Sequence, residues 1–292
     1  MTMADTLNKR LKTLLNKRAA TVVPGAFNAL AAKMVADQGF EAVYVSGAGV
    51  TNAYLGIPDL GLISLSELAD NVAAMRDVVD IPIVSDADTG FGNAVNVTRT
   101  VKVLERAGAN GIQLEDQVFP KKCGHFSGKA VIPADEAIQK IRAAVDARQD
   151  DDFVIVARTD ARSVLGLEAA LERAHGFIEA GADVTFVEAP ESIEEIEQIA
   201  KLPVPQLINL VFGGKTPVLE QAELKRMGYG MVLYANAPLQ AAMLALRNTL
   251  AHLKEHGSTN GWDEHLLPFS ERQVVVDKAS FDAIEQKYAA AD

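Results

Sequence analysis

Eight short runs of apolar and β-branched residues recur along this 292-residue chain, each followed by a longer stretch with helical spacing. They fall at 21–24, 42–46, 82–85, 111–115, 153–157, 184–188, 206–209 and 231–234. Strands joined through helices lie parallel, and strands covered on both faces read as continuous apolar runs. Eight such units favour a (β/α)8 TIM barrel over the alternative, a doubly wound open sheet with extra strands. Helices are predicted at 93–107, 133–147, 166–180, 192–201 and 219–227. Three of them stop at Gly108, Gly181 and Gly228, since glycine takes the left-handed conformation that closes a helix. No Pro/Gly/Ser-rich linker interrupts the series, so 1–292 reads as one barrel domain with a C-terminal helical extension at about 238–292. That extension opens with a long amphipathic helix at 238–256 and is predicted to pack on a neighbouring subunit or on its own barrel.

Bulk properties exclude several functions. Hydrophobic residues make up 49% of the chain and charged ones 23%, as in soluble globular proteins with a sizeable core. A net charge of −11 repels nucleic acid and anionic membranes, so neither is expected as a partner, and an anionic substrate must meet a local positive site. A single cysteine, Cys123, allows no internal disulfide and suits the reducing cytoplasm. The basic N-terminal segment lacks the apolar centre of a secretory signal, and Leu7, Leu11, Leu14 and Leu15 share a helical face. A plain N-terminal helix is therefore predicted; a transit peptide is the alternative, against which Asp5 counts. No apolar stretch reaches the ~20 residues that span a bilayer.

A TIM barrel carries its reacting groups at the C-terminal ends of its strands. There the chain places Ser46-Gly47-Ala48-Gly49, Asp86 and Asp88, Glu115-Asp116, Arg158-Thr159-Asp160, Glu188 and Asn209. Singly, each could cap a helix or a turn; six polar junctions with charges of both signs point to a site. Asp86 and Asp88 share one face of an extended segment, with Glu115 on the adjacent strand. Converging carboxylates repel one another unless a cation or protons intervene, and a hard ion such as Mg²⁺ prefers oxygen ligands. The competing reading pairs these acids with Lys121, Lys122 or Arg158 in a structural network. After the fourth strand, Lys121-Lys122-Cys123-Gly124-His125 reads as a mobile loop whose cations lower the thiol pKa, making Cys123 a proton donor or acceptor. A partly buried cysteine beside surface lysines is the plainer alternative. Three motif-like strings lead nowhere. Ser46-Gly47-Ala48-Gly49 lacks the third glycine of a dinucleotide fingerprint, having Asn52 there. Gly214-Lys215-Thr216 has Asn209 where a P-loop begins, and Asp88-Thr89-Gly90 sits in the wrong fold for an aspartic protease.

Together with Leu55-Gly56-Ile57-Pro58-Asp59, the run Asp86 to Gly92, the segments 112–117 and 157–160, and Gly213 to Pro217, these residues make the chain resemble the isocitrate lyase / phosphoenolpyruvate mutase superfamily nearly from end to end. The resemblance is greatest to its methylisocitrate lyase / 2,3-dimethylmalate lyase group. It implies a modified barrel whose last helix swaps between partners, in a homotetramer built as a dimer of dimers. It implies Mg²⁺, or Mn²⁺, held directly by Asp88 and through water by Asp59, Asp86 and Glu115. Ser46, Gly47, Ala48 and Arg158 are implied to hold the 2-oxygen-bearing carboxylate end of a dicarboxylate or tricarboxylate substrate, and Gly124, His125 and Asn209 its other carboxylate. Glu188 supports the site, while Cys123, Lys121 and Arg158 are the implied catalytic residues. One departure is Ala48, which replaces a glycine of the family's turn.

The implied reaction is retro-aldol/Claisen cleavage of a 2-hydroxy acid between C2 and C3, giving pyruvate or another 2-oxo acid and a carboxylic acid. Residues 233–239 contain no arginine to hold a third carboxylate, which favours a substrate like 2,3-dimethylmalate over 2-methylisocitrate. The alternatives are an oxaloacetate decarboxylase or hydrolase, a phosphonomutase of the carboxyphosphonoenolpyruvate or phosphoenolpyruvate type, and a barrel kept only for assembly. Cys123 separates the first two classes from a lyase. Cys123→Ser should nearly abolish C–C cleavage but leave oxaloacetate decarboxylation largely intact, as measured by 2-oxo acid turnover on both substrates.

Overall fold

The computed structural model describes residues 3–122, 124 and 128–289. The chain divides into two compact units, Met1–Pro238 and Leu239–Asp292. The first contains the parallel strands β1 (Thr21–Ala26), β2 (Val43–Val45), β3 (Ile83–Asp86), β4 (Gly111–Glu115), β5 (Val154–Thr159), β6 (Val184–Val187), β7 (Leu207–Asn209) and β8 (Met231–Tyr234). Hydrogen-bonded neighbours follow the order β6-β5-β4-β3-β2-β1-β8-β7, and a parallel bridge from Thr185 to Gln206 joins the two edges. The eight strands thus form a nearly closed TIM barrel. The open-sheet alternative fails because the strands follow one another in cyclic chain order, β8 returning to β1, and the two edges are bridged.

Around the barrel run α1 (Met3–Asn16), α2 (Ala29–Asp37), α3 (Gly47–Val50) with a π-helical turn at Thr51–Leu55, α4 (Leu65–Arg76), α5 (Ala94–Arg106), α6 (Ala134–Ala147), α7 (Arg162–Leu165), α8 (Leu167–Glu179), α9 (Ile193–Ile199) and α10 (Gln221–Met227). Local signals start several of them. Ser64 and Glu67 form a reciprocal capping box on α4, and the Asn93 side chain accepts from Val95 and Asn96 N–H at the head of α5. The stretch predicted as one helix at 166–180 is preceded by a separate turn, α7, which Gly166 ends.

Side chains two apart on a strand point the same way, and this alternation sets the character of the barrel interior. Val154 and Val156 precede Arg158, Val184 and Phe186 precede Glu188, Leu207 precedes Asn209, and Val84 precedes Asp86. The apolar members form one buried cluster with Tyr44, Met231 and Leu233. The intervening residues, such as Ile83, Ile112, Leu114 and Ile155, face outward into the helical shell. Leu11 and Leu15 of α1 join the interior cluster, so the predicted N-terminal helix plugs the barrel floor.

A polar network fixes that plug. Asn110, 2% exposed, accepts from Ile83 N–H and from Arg76 Nη2, both at 2.9 Å. It donates to Asn8 Oδ1 at 2.7 Å, and Asn8 in turn donates to Asp150 Oδ2 at 2.7 Å.

The remaining helices are α11 (Ala237–His256), α12 (Phe269–Val275) and α13 (Lys278–Tyr288), with a 3₁₀ turn at Asp263–His265. Trp262 stacks on His252 at 4.5 Å between centroids and lies 4.0 Å from the His265 ring, and its indole N–H donates to Thr249. Phe269, Val274 and Phe281 are 71%, 78% and 66% exposed, so the second unit presents apolar side chains outward. No helix among the described residues is long and apolar enough to cross a membrane.

Asn110→Ala should cost about 1–3 kcal/mol, because it orphans the buried Ile83 N–H and removes one of the four acceptors around the Arg76 guanidinium. Urea denaturation checks the loss. Asn110 lies at the barrel floor, so turnover per folded molecule should not change; a variant as stable as the parent would refute the role given to this network.

Candidate active site

The polar residues singled out in the sequence meet at the opposite end of the barrel from α1. One cavity at the C-terminal mouth is lined by Ser46, Ala48, Asp59, Asp86, Lys121, Gly124, Arg158, Glu188 and Asn209. Gly47, Asp88 and Glu115 contact these residues from behind. Cys123 and His125 lie outside the described residues.

Ser46 ends β2 and caps α3, its Oγ accepting from Gly49 N–H at 3.0 Å and donating to Asn236 Oδ1 at 3.1 Å. The first N–H groups of a helix have no intrahelical acceptor, so those of Gly47 and Ala48 are available to an anion. A Cβ at Gly47 would come 2.8 Å from Asp86 Oδ2, so a larger residue there would displace that carboxylate.

Asp86 closes β3, and its Oδ1 accepts from the Asp88 N–H at 3.1 Å. Asp88 takes a left-handed backbone with φ 46°, an unusual conformation, and its carboxylate meets Lys121 just behind the cavity lining. Lys140 of α6 donates to the neighbouring Thr89 carbonyl and braces the turn. Burial pushes the Asp88 carboxyl up to about 7; Asp86 and Asp59 add to the rise and Lys121 opposes it. Burial likewise holds Glu115 well above the usual carboxylate range despite Arg158.

Two buried cations divide these acids. Lys121 Nζ lies 2.5 Å from Asp59 Oδ1 and 2.8 Å from Asp88 Oδ1. Burial works against its charge, but Asp88, Glu115, Asp86 and Asp59 together hold it well above the ordinary lysine value. Arg158 grips Asp160 with Nε at 2.9 Å and Nη2 at 3.1 Å, reaches Glu115 at 3.2 Å and Glu188 at 3.7 Å, and lies 5.3 Å from the centre of the Phe186 ring. Lys129 adds a third cation, 2.6 Å from Asp160 Oδ1.

The network of acids with Lys121 and Arg158, weighed above against a metal site, is therefore real. Lys122 takes no part in it; its ammonium donates to Gly128 O. Yet the network does not balance. Asp59, Asp86, Asp88, Glu115, Asp160 and Glu188 are six buried carboxylates facing three cations among the described residues. Among the described residues, no hydrogen-bond partner meets the buried Glu115 Oε1 or Asn209 Oδ1. No three of the described His, Cys, Asp or Glu residues converge closely enough to form a ready metal cage. Mg²⁺ seldom needs one, because it keeps most of its waters and binds through one or two carboxylates. The surplus of negative charge and the oxygen-only donors Asp88, Asp86, Asp59 and Glu115 fit a hard divalent cation.

Several site residues escaped sequence reasoning. Stepping back two positions from Ser46 and Glu115 would have found Tyr44 and Gln113, which line the cavity beneath them. Asp160 was visible at its junction but not as the partner of Arg158. Asn236 and Lys129 lie in irregular segments and gave no periodic signal.

Comparison with known proteins adds to this geometry. The family model described as phosphoenolpyruvate phosphomutase matches residues 11–254. The 2,3-dimethylmalate lyase of Eubacterium barkeri is 42% identical over 281 residues, covering 96% of this chain and 97% of that protein. The 2-methylisocitrate lyase of Aeropyrum pernix is 47% identical over 249 residues, covering 85% and 80%. Among solved structures, oxaloacetate acetylhydrolase in complex with the inhibitor 3,3-difluorooxalacetate superposes with a TM-score of 0.91 at 36% identity, covering 99% of both chains.

Arg158→Met should destabilise the fold by about 3–5 kcal/mol, the cost of leaving buried carboxylates without their guanidinium. Chemical denaturation measures it, and a change under 1 kcal/mol would show that the clamp contributes little to the fold.

Proposed function

This chain belongs to the isocitrate lyase / phosphoenolpyruvate mutase superfamily, and from that premise we propose a divalent-metal-dependent carbon–carbon lyase that cleaves a 2-hydroxy dicarboxylate with small apolar substituents, 2,3-dimethylmalate being the model. One observation carries the choice of substrate: the mouth is strongly charged on one side only. Around Asp86, Lys121 and Arg158 the lining is ionic, whereas the wall from β7 and β8 consists of Asn209, Val211, Leu233, Ala235 and Asn236. Among the described residues that wall has hydrogen-bonding amides and apolar surface but no cation. A tricarboxylate would bury a third charge against it without a partner, at a cost of several kcal/mol. An alkyl group would gain about 0.8 kcal/mol per buried methylene.

Asp88, Asp86, Asp59 and Glu115 would hold the divalent ion, which supplies Lewis acidity to the hydroxyl and carboxylate of the substrate. The N–H groups of Gly47 and Ala48 and the guanidinium of Arg158 hold that carboxylate end. As the hydroxyl passes its proton to a carboxylate lining the mouth, C2 becomes a ketone, the C2–C3 bond breaks, and its electron pair passes onto the second fragment. Gly124, His125 and Asn209 stabilise the charge that develops on that fragment's carboxylate, and Cys123 returns a proton to its carbon. Lys121 keeps Asp59 and Asp88 compensated while this happens. A homotetramer of helix-swapped dimers belongs to the same reading, supported by the exposed apolar residues Phe269, Val274 and Phe281. The similarity to oxaloacetate acetylhydrolase keeps oxaloacetate hydrolysis as the second reading.

The test is a substrate panel read by 2-oxo acid release. With Mg²⁺ present, 2,3-dimethylmalate should be turned over at least ~10-fold faster than 2-methylisocitrate, by kcat/KM, since one misplaced charge or methylene shifts rates by that factor or more. EDTA should abolish the activity and Mg²⁺ or Mn²⁺ restore it. Faster cleavage of methylisocitrate would refute the argument from the uncharged wall, and turnover of oxaloacetate alone would favour the second reading.

A further inference from the structure

We propose that Lys129 is a positioning residue that pins the connection after β4 onto the active site by tying the Gly124 carbonyl to Asp160. The kinetic consequence rests on the lyase reading above; the structural tie does not.

The connection between β4 and α6 leaves the barrel through a narrow neck. Val118 N–H donates to Ala130 O and Ile132 N–H to Asp116 O, both at 2.9 Å, around an antiparallel bridge from Gln117 to Val131. Beyond the neck the described residues form no regular helix or strand, so position there depends on side chains. Among the described residues four side chains supply it, Lys121 bridging Asp59 and Asp88 and Lys122 donating to Gly128 O beside Gln117 and Lys129. Gln117 folds up beside Lys122, donating from Nε2 to its carbonyl and accepting from its N–H, each at 2.9 Å. Lys129 reaches inward from the other limb, its ammonium 2.5 Å from Gly124 O and 2.6 Å from Asp160 Oδ1. In sequence, Cys123 lies between the two residues that are held.

The Lys129 side chain is 2% exposed although its neighbours Gly128 and Ala130 are exposed. A lysine at such a position ordinarily keeps its charge in water, because burying an ammonium is costly. Asp160 draws compensation from two cations, Arg158 engaging both its oxygens and Lys129 one of them, and together they outweigh burial and hold its carboxyl below the ordinary range. What Lys129 alone adds is the bond to Gly124. That bond matters because Gly124 sits close against the charged network: a Cβ there would lie 2.4 Å from Glu188 Oε1 and 2.6 Å from Arg158 Nη2 and would force them aside. Lys129, Asp160 and Arg158 thus form one rigid chain from the loop limb to the cavity, and the Gly124 backbone is seated against its far end.

Lys129→Met keeps the aliphatic stem and removes the ammonium. Hydrogen exchange of a peptide spanning 117–130 in the ligand-free protein should speed up at least ~10-fold, with the barrel strands unchanged. On the cleaved substrate kcat should fall ~10–100-fold, the penalty for a displaced reacting group, with a smaller change in KM. Lys129→Arg should recover part of both. If Lys129→Met does not fold, Lys129→Gln, which keeps one donor, takes its place in the same exchange measurement. Unchanged exchange in 117–130 overturns the proposal whatever the enzyme cleaves. Faster exchange in a protein inactive on every acid tested would uphold the tie and count against the lyase reading alone.

Discussion

A guanidinium buried in a protein must be surrounded by acceptors, and at the mouth of this barrel that requirement organises nearly everything else. Arg158 sits 9% exposed between Asp160, Glu115 and Glu188, which come from three adjacent strand ends, β5, β4 and β6. Because the guanidinium is planar and its donors lie in a fixed fork, each carboxylate is oriented as well as attracted. Asp160 is held in turn through its own N–H by Asp116, which also accepts from Thr159 and Arg173. The rim of the barrel is therefore set by ionic geometry, where the floor is set by close packing of valine, leucine and phenylalanine.

The contrast between floor and rim explains the surplus of acid. A core of apolar side chains can stabilise the whole barrel while its open end tolerates arrangements that would not persist alone: a left-handed aspartate, carboxyl groups shifted toward protonation, and amide and carboxylate oxygens without partners. Lys121 holds part of that surplus by bridging Asp59 and Asp88. A site built this way is poised for a cation and for an anion at once, as the proposed 2-hydroxy acid and its metal ion together would supply.

Much of this was legible in the sequence for a definite reason. Fold class came from the repetition of apolar runs, since parallel strands buried on both faces leave that trace and little else does. The rim residues came from a topological rule, that polar residues at the ends of barrel strands are unusual and face the mouth. Asp59 was different: no periodicity marked it, and family resemblance alone suggested it. Which cation meets which acid could not be read. Lys121 and Lys122 are neighbours in the chain, yet one is buried among carboxylates and the other is not. Likewise Lys129 and Asn236 act across loops whose path depends on tertiary contacts.

The helix that plugs the floor also decides how molecules pass. With Leu11 and Leu15 filling the barrel's lower end, the described residues leave no passage through the floor, and the cavity is reached from the mouth. For a reaction that splits one molecule into two, both halves must leave by the route the substrate used to enter. Departure then becomes a queue: the fragment lying nearer the opening goes first, and the one seated deeper against the acid cluster waits behind it. The order in which products are released would thus be written by a helix at the far end of the barrel from the chemistry.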